Sequence, residues 1–193
     1  MAAEKEKKIG EYGIAFKGLK EGQHLYEYKL GSAFFELFEQ PQVETGELLA
    51  KVTLTKSTRM LELSFHIDGV VEALCDRCLG LMDVPVTYKG KLFVKFGEVY
   101  DEPTEEIVIL PHEEHTVNIA RFMYEYIVVS IPIRHVHPDK EDGTPGCDTE
   151  MLAQLETYMV DQEPASGQDE ENDNEEIDPR WNELKKLKNK NNK

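Results

Sequence analysis

Cys75-Asp76-Arg77-Cys78 places two thiols two residues apart, where one apolar run ends and another begins. Thiolates at this spacing can turn toward one tetrahedral ion, as in the first half of a zinc knuckle. A second half is available sixty to seventy residues onward in His135, His137 and Cys147. Cys75, Cys78 and Cys147 with one of the two histidines would form a closed Cys3His site, saturated and therefore structural rather than catalytic. Such a site would pin a loop to a hairpin. The same thiols also fit a simpler reading, as small half-buried residues at a turn. A redox pair fits less well, because that motif normally precedes a helix and Leu81–Tyr88 reads as extended. A nucleophilic cysteine needs an orienting third residue and an oxyanion loop, and neither is recognisable. No catalytic residue is assigned, and the chain is not expected to be an enzyme.

Other chemistry is sparse. Gly-rich phosphate loops, paired-histidine zinc helices and nucleophile elbows are missing from the sequence. The runs Glu105-Glu106 and Glu113-Glu114 read as solvated loop charge. His66 alternates out of a strand toward solvent, and Glu125 falls beside an apolar helical stripe, free to meet a base or water.

The elements that must position the thiols follow from periodicity. Leu61, Leu63, Phe65 and Ile67 alternate with Glu62, Ser64, His66 and Asp68, the pattern of a half-buried strand. Ala50, Val52 and Leu54 do the same before it, and Val84, Val86 and Tyr88 after it. Leu92, Val94 and Phe96 continue beyond Gly90, which predicts a curved, mostly antiparallel sheet. Tyr12–Lys17 and His24–Leu30 are expected to add strands, while Ser32–Phe38 fits either a short helix or a strand. Near His115 the period changes. Ile119, Phe122, Met123, Tyr126 and Ile127 form one helical stripe, with Thr116 as expected cap and Pro132 as stop, predicting a long amphipathic helix across the sheet. A further helix is expected around Thr149–Val160. The fold class is α+β, strands first and helix second.

Of 193 residues, 22 are basic and 38 acidic, a net charge of −16 that argues against a generally cationic, nucleic-acid-coating protein. Residues 161–178 hold nine acidic side chains and no basic one, while residues 179–193 are net +5, leaving −12 on the first 160. The expected organisation is one α+β domain over 1–160, a disordered acidic linker over 161–178, and a short basic amphipathic tail over 179–193. Asp178-Pro179 reads as the start of that tail helix, with Trp181, Leu184 and Leu187 on one approximate face. No apolar run suits a membrane span, and the charged opening Met1–Lys8 has no signal-peptide core, so cytoplasmic residence is expected.

Val71-Glu72-Ala73-Leu74-Cys75-Asp76-Arg77-Cys78-Leu79, then Val84-Pro85-Val86, then Asn118–Glu125 leading to Val128-Val129-Ser130-Ile131-Pro132, is an order of motifs that resembles the YceD family. These are the large ribosomal RNA subunit accumulation proteins, and the resemblance covers mainly residues 45–147. It implies a non-enzymatic bacterial factor for 23S ribosomal RNA accumulation and processing, and so for large-subunit biogenesis. Many relatives carry a second cysteine cluster after the Pro step, which looks like the other half of a metal site. Here that cluster is reduced to His137 and Cys147, and family position favours His137 over His135 as the fourth ligand. The implied metal set is Cys75, Cys78, His137 and Cys147, with zinc as the candidate ion.

An RNA role requires cations that can meet phosphates. Two places supply them: Lys89, Lys91 and Lys95 with Arg77, and the tail residues Arg180, Lys185, Lys186, Lys188 and Lys190, where Trp181 could stack on a base. The three strand lysines share a face only if Gly90 introduces no bulge. The expected partners are 23S ribosomal RNA or its precursor and a basic large-subunit ribosomal protein, with no membrane. A structural zinc adaptor and a thiol enzyme using Cys75 or Cys78 are the competing readings.

Overall fold

Period-two alternation sustained over three long segments demands strands with one dry and one wet face, and the computed structural model, which describes residues 8–39 and 42–158, is organised around them. The strands are β1 (Gly13–Ala15), β2 (Gly22–Leu30), β3 (Gly46–Lys56), β4 (Met60–Leu74), β5 (Leu81–Gly97), β6 (Asp101–Thr104), β7 (Ile107–Pro111) and β8 (Thr116–Asn118). The helices are α1 (Ser32–Phe35), α2 (Ala120–Ser130) and α3 (Thr149–Tyr158). Six strands form one mixed sheet in the order β2-β3-β4-β5-β7-β6, antiparallel except where β7 runs parallel to β5. β1 and β8 form a separate two-stranded ribbon. The expected linker 161–178 and tail 179–193 lie outside the described residues.

The dry face is one continuous surface. Leu48, Ala50, Val52 and Leu54 of β3, Leu61, Leu63, Phe65, Ile67 and Val71 of β4, and Val84, Val86, Leu92 and Val94 of β5 are all buried. Leu63 faces Leu92 across the β4–β5 ladder, and Leu61 faces Val94. At Gly69 the backbone adopts φ +156°, and a Cβ there would strike the β3 backbone at Glu47 and Leu48, so only glycine fits. Onto this face pack Phe34 and Phe35 of α1, Ile14 of β1, and the α2 stripe of Phe122, Met123, Tyr126 and Ile127, all of them buried. Burying each large apolar side chain contributes about 1.5–3 kcal/mol.

Two expectations are corrected and one open alternative is resolved. The helix starts at Ala120 and runs eleven residues, shorter than the span from the expected cap Thr116 to Pro132, because Thr116 is taken into β8, where it pairs with Ala15. Asn118 rather than Thr116 satisfies the first turn, its Oδ1 accepting the Ala120 N–H at 3.0 Å. At the other end Ile131 is extended before Pro132, which ends the helix. The strand expected over Tyr12–Lys17 shortens to Gly13–Ala15, since the chain turns away after Phe16, whose carbonyl accepts from Lys56 Nζ at 2.9 Å. Ser32–Phe38, open between helix and strand, forms the single turn α1.

Truncating Leu63 to alanine leaves a cavity at the centre of the dry face and is expected to cost about 2–5 kcal/mol in urea unfolding, whereas Leu25→Ser on the wet face should stay within about 0.5 kcal/mol.

Candidate metal centre

The β4–β5 pairing stops at Leu74 and Leu81, and the six residues between them form the knuckle. Cys75 N–H donates to the Gly80 carbonyl at 2.8 Å, and Leu79 N–H to the Cys75 carbonyl at 2.9 Å, which closes a tight loop. Leu79 sits at φ +57°, an uncommon conformation for a side-chain-bearing residue and a local strain that the surrounding hydrogen bonds hold in place. Arg77 N–H points at Cys75 Sγ, 3.4 Å away. Both knuckle thiols are turned inward and buried.

Residues 135–147 supply the opposite side. Asp76 clasps His135 through two backbone links: Asp76 N–H to the His135 carbonyl at 2.9 Å, and His135 N–H to Asp76 Oδ2 at 2.7 Å. His135 Nδ1 lies 3.1 Å from the Pro132 carbonyl, so this histidine braces the loop and stays out of the donor cluster. Two residues on, His137 enters it. Gly146 lets the chain fold back, because a Cβ there would collide with the Pro138 carbonyl. Cys147 is thereby brought in, and Asp148 immediately caps α3 through its Oδ1, 2.8 Å from Glu150 N. Met82, Val136, Met151 and Leu152 pack around the cysteines and keep water away.

The donor atoms of Cys75, Cys78, His137 and Cys147 all lie within 4.8 Å of one another. A tetrahedral ion holding sulfur at about 2.3 Å and nitrogen at about 2.0 Å implies sulfur–sulfur edges of about 3.8 Å and sulfur–nitrogen edges of about 3.5 Å. Cys75 Sγ and Cys147 Sγ are 3.8 Å apart, and Cys78 Sγ and His137 Nδ1 are 3.4 Å apart. His137 Nε2 meets the Leu81 carbonyl at 3.2 Å, which assigns the proton to Nε2 and leaves Nδ1 free to ligate. The four residues present fit one divalent ion, with no ligand position left for substrate.

Electrostatics prepare the thiols for that role. Burial opposes ionisation of Cys75, but the N–H groups of Cys78, Arg77 and His137, with the His137 side chain, outweigh it and bring the thiol down to about 5. The N–H groups of Asp148 and Gly80 lower Cys78 against its burial. Burial, and then the two neighbouring thiols, raise Cys147. Contact with Cys75 raises His137. The buried sulfurs also bear on the thiol-enzyme reading, since a nucleophile must reach its substrate and these face one another.

The register from Leu81 to Gly97 runs without a bulge at Gly90, so Lys89, Lys91 and Lys95 do share the wet face. Arg77 stands apart, at the hairpin tip, eight positions or about 27 Å of extended strand beyond Lys89. Lys91 Nζ pairs with Glu62 at 2.6 Å, and His66 Nε2 with Asp68 at 2.5 Å. Lys51 joins the same face, beside His66 and one strand further from Lys89, a position the period-two phase of β3 already encodes. Glu125 lies 3.6 Å from Arg121 Nε. Arg180, Trp181, Lys185, Lys186, Lys188 and Lys190 lie outside the described residues. Among the described residues no helix is long and apolar enough to cross a membrane.

The family model for large ribosomal RNA subunit accumulation protein YceD matches residues 63–188, well over half the chain, spanning the knuckle, α2 and all four donors. No curated protein and no solved structure gives a significant match.

Cobalt(II) is the optical probe for the cluster. One ion per chain should give intense thiolate charge-transfer and tetrahedral ligand-field bands, and Cys147→Ser should weaken both. Ligation needs the thiols deprotonated, so affinity should fall as pH falls, the raised Cys147 being the first thiol lost.

Proposed function

The chain belongs to the YceD family of large ribosomal RNA subunit accumulation proteins, and from that membership we propose that it is a non-enzymatic factor for 23S ribosomal RNA accumulation and large-subunit biogenesis, acting in the bacterial cytoplasm by binding ribosomal RNA or a ribosomal protein. The observation that carries this reading is the family match across residues 63–188, which includes the knuckle and the loop that returns to it. A role without turnover agrees with a donor cluster that is closed and wrapped in apolar side chains.

Within that reading the resident ion is zinc, held by Cys75, Cys78, His137 and Cys147, and its work is mechanical. A structural ion ties the tip of the β4–β5 hairpin to residues 135–147 and to the start of α3, segments with few other ties to the sheet. Lys89, Lys91 and Lys95, joined by Lys51, form the RNA-facing surface on the body, and Arg77 offers a separate cation at the tip. The tail cations Arg180, Lys185, Lys186, Lys188 and Lys190, with Trp181, belong to the same proposal as a second contact. On a body this acidic, phosphate contact depends on local clusters of cations rather than on overall charge.

Depletion in a bacterial host should lower mature 23S RNA and large subunits before small subunits change, read from sucrose gradients and RNA blots. Equal loss of both subunits would overturn the proposal. Chelation of metal from the purified protein should lower the Tm by several degrees, and zinc should restore it. Retention of the full Tm after complete metal removal would dismiss the structural ion. Crosslinking in living cells should capture 23S RNA or a large-subunit protein, and with the captured partner purified, removal of residues 179–193 should weaken binding most at low salt.

A further inference from the structure

Beside α2, on the opposite side of the β5 edge from the lysines, lies an open groove of about 570 Å³. Glu102 of β6, Glu105 and Glu106 at the β6–β7 turn, and Glu125 of α2 line it, together with Tyr88, Phe122, Tyr126 and Val129. Carboxylates alone would be ordinary surface charge. The floor is different. Tyr126 is only 9% exposed and its ring stacks on Tyr88 at a centroid distance of 4.3 Å, which gives the groove a rigid aromatic base. Val129 on the rim is 73% exposed, an apolar surface next to the carboxylates.

The wall already displays how this chemistry holds a guanidinium. Arg121 lies 5.0 Å from the Phe122 ring centroid and also pairs with Glu102, with Glu125 at 3.6 Å. A cation over an aromatic face, flanked by carboxylates, is the arrangement by which an incoming arginine would be held. Glu105 and Glu106, exposed at the turn, offer the same charge to a second cation. Phosphate-rich ligands are repelled by four glutamates, so nucleic acid and anionic membrane are the wrong chemistry for this side of the molecule.

We propose that this groove docks a polypeptide segment in which arginine or lysine alternates with apolar residues, the cations meeting Glu105 and Glu106 beside the Arg121 cluster and the apolar side chains resting on Phe122 and Val129. The inference rests on the reading of the chain as a binding factor in ribosome assembly and deepens its protein-partner arm, since basic segments of this type must be shielded from RNA until they are placed. It assigns the two faces to different ligands: lysines on the wet sheet face, glutamates and aromatics beside α2.

The test uses the full chain and a fluorescent synthetic peptide alternating arginine with leucine, with binding read by anisotropy. Glu105→Gln/Glu106→Gln should weaken binding about tenfold, while Glu27→Gln/Glu98→Gln, which removes equal charge elsewhere, should change it less than about twofold. Val129→Ser should weaken binding several-fold without lowering the Tm, because that side chain is 73% exposed in the free protein. Equal losses in both double variants would mean diffuse acidic attraction and would overturn the proposal. So would unchanged binding in Glu105→Gln/Glu106→Gln. The assembly reading stands or falls separately, on large-subunit levels after depletion, which the peptide measurement does not touch.

Discussion

Uninterrupted pairing of β4 with β5, from Met60 opposite Lys95 to Leu74 opposite Leu81, is the constraint on which the rest of the molecule depends. Fifteen consecutive pairs keep Leu61, Leu63, Phe65, Ile67 and Val71 in phase with Val84, Val86, Leu92 and Val94, so a slip of one residue would turn the entire dry face to water. The same ladder delivers Cys75 and Cys78 to its far end with both sulfurs turned inward. The fold's hydrophobic register and the geometry of the donor cluster are therefore a single specification, written twice.

How much of this was legible before the structure depended on the range of the interactions involved. Period-two runs revealed β3, β4 and β5 and the phase that sends Lys89, Lys91 and Lys95 outward, because strand parity is local. The stripe from Ile119 to Ile127 likewise marked the apolar face of α2. β8 and its pairing with β1 were invisible: three residues paired over a separation of about a hundred carry no periodic signal, and it was this pairing that removed Thr116 from the helix. β7 was hidden for a related reason, since Ile107–Pro111 is a short apolar run without alternation, the form expected of a parallel strand.

The donor cluster shows the same division. Spacing alone pointed to Cys75 and Cys78 and left the two histidines open; family position favoured His137. The structure separates them by backbone geometry, with His135 occupied by Asp76 and Pro132 while His137 reaches the sulfurs. Gly146 was the signal available but unread, a residue whose missing side chain lets Cys147 approach without forming a second knuckle. Charge is arranged more finely than the net value of −16 shows: strand parity puts Lys51, Lys89, Lys91 and Lys95 on the wet face among Glu62 and Asp68, while the α2 groove gathers glutamates.

The outermost strand has an implication of its own. β6 is four residues long, fully exposed, carries Pro103 and meets β7 with a shift in register. An edge so short, missing one backbone donor and bent off the ladder, makes a poor template for a foreign strand. Beside it the sheet is closed to further growth, so copies of this chain crowded together are protected on that flank from zipping into cross-β aggregates.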